Sequence, residues 1–544
     1  MPAPRFVLDD FWPSDLFLGG IPGAWYDPTD LSTMFQDSTG TTPVTAVEQP
    51  VGLILDKSQG LALGADVVTN GDFSSGASWV LEPGWAIGAG LATKTAGVAA
   101  SIYQPAPAMV QGRTYLVTFT VSGYTAGILY PVCRGTLGTG VTANGTYTQA
   151  LIAGAYAARA VEFFANATFA GSLDNVTVRE LAGNHASQST AASRPTYRAR
   201  YNLLTFSEQF DNAAWTAGKT AGTTVTPNTD IAPDGTLTAD TVAFATNADY
   251  LIQQITGYSA VVGNSVTFSI YAKTQTQIIV FGGASPAGTD VYSVTAAANG
   301  FWRQTLRRTF TVTATGTLQM IPSSSIAGAG SYVLWGAQLL TAADVTATGN
   351  AYQRIAAATV YDTAPIFRPY LAFDGLDDSL STAAINFTST DKMTVFAGVT
   401  KSSGAALGMV TELGNRNIVQ AGSFSLTAPR NAGAPDYSFI VEGTAVTDNT
   451  IVTYIAPITN VMTARGDIAA PLNQLRVNGA VAGTLTTTLG TGNFGNWPLF
   501  IGRRNNTNLP FNGRLFSLIV RGAASSATEI ADTELWVNQR TGGY

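Results

Sequence analysis

The stretch Asp66–Trp85, DVVTNGDFSSGASWVLEPGW, sets an apolar start, an Asn-Gly-Asp-Phe turn, a small-residue loop and a tryptophan in close order. The same skeleton returns in Asn202–Trp215, NLLTFSEQFDNAAW. Phe73 and Phe210 are 137 positions apart, and Trp79 and Trp215 are 136 apart. Each segment runs on to a Val-Thr-Phe strand, Val117–Phe119 and Val266–Phe268. Each closes on an apolar strand, GSLDNVTVREL (171–181) and GSYVLWGAQLL (330–340). A period this long means tandem domains rather than a solenoid. Phe73, Trp79, Phe119, Phe210, Trp215 and Phe268 are assigned to the two cores.

The rest of the chain has the same texture. In TYLVTFTVSGY, Tyr115, Val117, Phe119 and Val121 alternate with Leu116, Thr118, Thr120 and Ser122. SVTFSIYAKT and KMTVFAGVT repeat the pattern. Period two between Gly, Asn and Pro punctuation is the strand-and-turn signature of sandwiches. Helical periodicity is confined to DPTDLSTMFQD near the start and SATEIADTELWVNQRTG at the end. In the latter, Ser526 is the expected cap, with Ile530 and Leu535 apolar.

A chain of 544 residues exceeds one core, so three or four domains are expected. Only 12% of residues are charged against 46% hydrophobic, which favours β-rich modules over disorder. The net charge of -7 and the lack of a basic block argue against nucleic-acid binding, which needs clustered cations. The single cysteine, Cys133, rules out an intrachain disulfide. The N-terminus has no signal-peptide pattern, and no run nears the ~18 apolar residues of a membrane span. Membrane insertion is not expected.

The expected fold class is all-β: tandem β-sandwich (jelly-roll) domains behind an irregular N-terminal anchoring segment. The boundaries read as 1–64 for that segment, 65–181 for the first jelly roll, 182–200 for a polar linker, 201–345 for the second jelly roll, 346–365 for another linker, and 366–544 for a third sandwich.

VVTNGDFSSGASW with LDNVTVREL resembles carbohydrate-binding modules of the galactose-binding-like jelly-roll type. YLAFDGLDDSLST, LRVNGA and LFIGRRNNTNLPFNGRLFSLIV resemble laminin-G/concanavalin-like sandwiches. PGAWYDPTDLSTMFQDSTGTTPVTAVEQPVGLILDKS (22–58) looks like a leader of phage and prophage particle proteins. The order as a whole resembles a phage tail-fibre or head-spike adhesin, including the spikes of gene transfer agents. The resemblance implies a protein made in the bacterial cytoplasm and displayed on a virion or phage-like particle. It implies a bacterial surface polysaccharide and capsid or tail proteins as partners, and a homo-oligomeric state.

Sugar binding joins an apolar ring face to a few convergent polar groups. Candidates are Trp85, Tyr103, Tyr124, Tyr130 and Arg134 in the first module and Tyr250, Tyr271 and Trp302 in the second. In the third they are Trp497, Arg503, Arg504 and Asn505. Each competes with a plain core or surface role. No cofactor is required. The jelly-roll resemblance makes Asp72 and Asp174 candidate ligands of a structural Ca2+, against a turn-capping role. Asp374–Asp378, DGLDD, reads as a turn rather than a calcium loop, and GTGNFG (490–495) as a turn before a strand. His185 lies in the expected linker, which argues against Ser-His-Asp or Cys-His machinery. The expected function is a non-enzymatic adhesin. The alternatives are a polysaccharide depolymerase using two carboxylates and a ligand-free stalk.

Overall fold

The computed structural model describes residues 11–544 except 106, 415–419 and 452. It is built almost wholly of antiparallel strands, arranged as tandem β-sandwiches. The first module faces a six-stranded sheet, centred on Thr114–Ala126 and Ala170–Leu181, against a five-stranded one. The second faces a six-stranded sheet, centred on Gly330–Thr341 and Ser265–Ala272, against a three-stranded one.

The repeated skeleton does the same work in both modules. Phe73 packs on Trp79 at 5.0 Å and Phe210 on Trp215 at 5.1 Å, and all four are buried. The Trp79 indole donates to Asn70 O at 2.9 Å, and the Trp215 indole to Phe206 O at 3.0 Å, each nine residues back. The preceding threonine is held by a glutamine of the facing sheet. Thr69 N–H donates to Gln104 Oε1 at 3.3 Å, and Thr205 N–H to Gln253 Oε1 at 2.9 Å. Both glutamines return a bond to the threonine carbonyl. Phe119 and Phe268 complete the cores. Trp215→Phe keeps an aromatic ring but removes the indole bond to Phe206 O, which still accepts the Gln209 N–H, so a loss of about 0.5–1.5 kcal/mol is expected in denaturant unfolding.

The third sandwich is discontinuous in sequence. Its eight-stranded sheet takes Gly23–Tyr26 onto Asn512–Arg521, and Thr196–Arg198 onto Tyr370–Asp374. Its nine-stranded sheet takes Met34–Phe35, Leu53–Ile54 and Ala186–Ser187 beside Leu380–Asn386. Ala24, Tyr26, Met34, Val44, Val51, Ile54, Ala186 and Tyr197 share one core with Val395, Phe439 and Leu518. The first module therefore projects from this sandwich as a long excursion, and the second as another.

Three expectations are corrected here. Residues 182–200 are not a free linker but supply strands to both sheets of the third sandwich. The connector at 346–365 is likewise built in. Gln353 is buried, donates to the Ala199 and Asp362 carbonyls, and accepts the Tyr201 and Asn202 amides. The DPTDLSTMFQD stretch gives only a 3-10 turn, Leu31–Thr33, followed by the strand Met34–Phe35. Strand pairing at Met34–Phe35 overrides its weak helical pattern. The C-terminal helix forms as Ala527–Thr541, with Ser526 and Glu529 as a capping box. Ile530, Trp536 and Val537 pack on Leu16, Phe17 and Trp25, while Leu535 is only half-buried.

His185 is a fixed part of this seam, not a residue of a flexible segment. Its Nδ1 accepts the Asp56 N–H at 2.9 Å, and Nε2 faces Leu181 O at 3.2 Å. Asp56 in turn accepts the Trp25 and Asn184 amides at 2.7 Å and the Ser58 amide and hydroxyl at 2.8 Å. Burial pushes the imidazole below its ordinary value. The unfolded ring takes up a proton near pH ~6.5 while the folded ring resists it, so this contribution to stability is lost as pH falls. The stability gap between wild type and His185→Gln is expected to narrow from pH 7.5 to 5 in paired melting curves. A gap that stays constant contradicts the assignment.

Candidate functional site

The sequence candidates are dispersed. Trp85 is buried in the first core beside Phe169 and donates to Ala100 O, which removes it from any ligand surface. Tyr124 packs on Phe169 and bonds Gly127 O. Tyr103 lies under the Arg159 guanidinium at 4.4 Å, and Tyr130 lies against Phe164 on the neighbouring strand. Arg134 donates to Gly154 O and Met109 O, so two of its donors are engaged by the backbone. In the second module, Tyr271 joins Trp335, Tyr352 and Arg303 in a half-buried cluster. Trp302 opens its strand half-buried, and Tyr250 is half-buried at a bridge to Ser323.

In the third module Arg503, Arg504 and Asn505 share one turn, while Trp497 lies at the far end of the strand Asn496–Ile501 that leads into it. Arg504 pairs with the buried Glu412 at 3.0 Å, Arg503 donates to Thr507 O at 2.8 Å, and Asn505 turns the chain with φ 46°. Trp497 is half-buried against the core, and its indole N–H has no partner among the described residues. Arg504 is neutralised by Glu412, and Arg503 spends donors on the Asp377 and Thr507 carbonyls.

Asp72 is exposed and accepts the Ser74 N–H, the bond that holds its acid below the usual range. Asp174 accepts the Asn175 amide at 2.7 Å. The Gly71 carbonyl beside them is bonded to Val176 N–H. Both carboxylates thus close local turns, and the six to eight oxygens calcium favours are not assembled by this pair. Asp374, Asp377 and Asp378 do converge, with ligand atoms within 4.8 Å. Their oxygens accept the amides of Asp374, Leu376 and Asp377 and the Ser193 hydroxyl. Burial and the two neighbours push the Asp378 acid up to about 7.

Two reactive residue types are spent structurally. Cys133 is buried, and burial pushes its thiol up to about 12, so it holds no thiolate at neutral pH. His185 has both ring nitrogens in the seam described above.

Four cavities carry polar groups in their walls, one of them, about 520 Å³, beside Thr205 and Gln253 in the second module. One of about 270 Å³ in the second module brings together Glu208, Asp211, Asn228, Asp240 and Arg354. Glu208 pairs with Arg354 at 3.0 Å, and burial raises both its acid and that of Asp240. One of about 450 Å³ lies between the first module and the third sandwich, at Arg113, His185 and Asn386. The largest, about 700 Å³, lies between the second module and the third sandwich. Its walls include Arg198, Arg200, Tyr258, Tyr370, Asn512 and Arg514. Sequence reading missed these residues because they come from four distant segments. The one local signal was RPTYRAR, where Tyr197 alternates with Arg198 as a strand does.

No family model matches the chain, and no curated protein does. Among solved structures it is similar to the CBM40 of the Ruminococcus gnavus IT-sialidase at 18% identity, covering 27% of this chain and 84% of that one, TM-score 0.23. It is similar to a heptameric SAP-like pentraxin from Limulus polyphemus at 13% identity, covering 30% and 79%, TM-score 0.24. It is similar to the botulinum neurotoxin type G receptor binding domain at 11% identity, covering 30% and 41%, TM-score 0.24. Likeness this partial carries no argument about function.

Proposed function

We propose that the chain is a non-enzymatic, multidomain β-sandwich adhesin on the surface of a phage-like particle, binding a bacterial surface polysaccharide. The observation that carries the binding role is the pair of roomy clefts, 450 and 700 Å³, where the jelly rolls meet the third sandwich. Ligand sites favour such module junctions. Repeated copies on a particle would multiply weak sites. The sequence resemblance of residues 22–58 to particle-protein leaders supports display on a particle, with capsid or tail proteins and further copies of the chain as neighbours.

The depolymerase reading has one observation in its favour, the raised carboxyls of Glu208 and Asp240 in the 270 Å³ cavity. A reducing-end assay on bound polysaccharide separates the two. The adhesin reading expects retention without release. Release abolished by Glu208→Gln would establish the enzyme instead. Antibody labelling of particles shed by the producing bacterium tests display. The adhesin requires no cofactor. No third acid joins Asp72 and Asp174 among the described residues, so excess chelator is expected to leave the first module's melting unchanged. A lowered melting point would restore the structural calcium.

A further inference from the structure

The floor of the largest cleft is the outer face of the eight-stranded sheet. Ala372, Arg514 and Thr400 stand abreast on three adjacent strands, and Arg198 stands opposite Tyr370 on the next. Elsewhere this face is covered. The helix Ala527–Thr541 packs over Phe396, Val461 and Ile519, and the segment around Ala347 packs over Phe516. The uncovered strip carries small or polar side chains, so no apolar ridge fills it. The opposite wall is the second module's strand at Ile255–Ser259, where its pairing shifts register beside Tyr258. The volume, about 700 Å³, suits a short oligosaccharide.

The cleft lining carries three arginines and three acids, Glu48, Asp344 and Asp374, and the arginines are partnered unequally. Arg514 is neutralised by Asp344 at 2.5 Å and held between the Tyr201 and Tyr370 rings at 5.0 and 4.8 Å. Arg198 pairs with Glu48 at 2.9 Å, yet its side chain stays 44% exposed. Arg200 differs. It donates to the carbonyls of Asn202, Ala358, Leu203 and Leu204 at 3.1–3.3 Å, and no carboxylate lies within ion-pair distance among the described residues. Four contacts leave one of its five N–H donors unspent. The nearest acid that supports its charge, Glu48, is already ion-paired with Arg198, so a half-buried guanidinium with a donor to spare can receive the carboxylate of a guest.

We propose that this cleft binds a segment of an acidic polysaccharide, with a sugar carboxylate facing Arg200 and Arg198. Asn512 and Ser402, both exposed, meet ring hydroxyls, and Tyr258, packed on Phe310, presents its exposed edge to a sugar ring. This rests on the glycan-binding reading above and names its site and ligand class. The test uses the full chain with oligogalacturonate and with the same oligomer reduced at its carboxyls. Two variants are compared, Arg200→Gln and Thr256→Trp. The second adds bulk at an exposed position of the cleft-wall strand, where its pairing shifts, so binding can be read even if Arg200→Gln disturbs the carbonyl clamp. Binding of the acidic oligomer is expected to weaken with salt. Each variant is expected to lower it about tenfold or more, as is carboxyl reduction. Acidic binding that both folded variants leave intact overturns the site and spares the glycan reading. Equal binding of the reduced oligomer overturns the acidic class. If neither oligomer binds, the proposed site and ligand fail, and the wider reading then stands or falls with attachment to whole envelopes.

Discussion

Deleting residues 1–60 is expected to unfold the third sandwich rather than release an intact protein from its particle. The deletion strips Gly23–Tyr26 from Asn512–Arg521 along four paired positions and removes two further short strands from the facing sheet. It also removes Trp25, Tyr26, Met34, Val44, Val51 and Ile54 from the interior, all at most 3% exposed. At about 1.5–3 kcal/mol per buried side chain, the loss is on the order of ten kcal/mol, the size of a whole domain's stability. The Asp56–His185 seam goes with it. The expected result is an insoluble or protease-sensitive C-terminal half, and a fragment 366–544 made alone is expected to behave the same way. Anchoring by this segment is therefore better tested by point changes at exposed Trp12 and Leu18, which are 55% and 71% exposed. A soluble, cooperatively melting deletion variant contradicts the discontinuous sandwich.

Asp344→Ala is expected to cost about 3–5 kcal/mol, because it leaves Arg514 buried without its counter-ion. Asp344 is 1% exposed, sits in the first turn of the helix Ala342–Thr348, and receives the Thr341 hydroxyl. The pair fastens the end of the second module to the strand Asn512–Arg521, so its loss is expected to separate the melting of those two bodies. Adding Arg514→Met should recover part of the loss, since an apolar side chain of similar size has no charge to strand. A double variant as unstable as the sum of the two single changes would mean that the pair is not coupled.

The two jelly rolls were legible because their deciding contacts are local. Phe73, Trp79 and the carbonyl that the indole bonds lie within ten residues, and the second module repeats the spacing. The third sandwich was legible only in its C-terminal part. Gly23–Tyr26 and Asn512–Arg521 meet across nearly the whole chain, and Met34–Phe35, Leu53–Ile54 and Ala186–Ser187 are two-residue strands with no periodicity to detect. ASQSTAASRPTYRAR looked like a linker because its strand residues face a polar cleft on one side. The candidate aromatics were hard to sort for a related reason. Alternation shows which residues share a face, but not whether that face meets a core, as for Trp85, or a half-open surface, as for Tyr103. The residues of the large cleft carry no common motif, since only folding brings Arg200, Tyr258 and Asn512 together.

Attachment of the labelled full chain to a panel of bacterial envelopes, before and after periodate oxidation, tests the glycan-binding claim most directly. Periodate destroys vicinal diols whatever the sugar, so the answer does not depend on knowing the polysaccharide. The account predicts attachment that survives protease treatment of the envelope and disappears after periodate. Attachment that resists periodate and is lost to protease, or no attachment to any envelope in the panel, would contradict it.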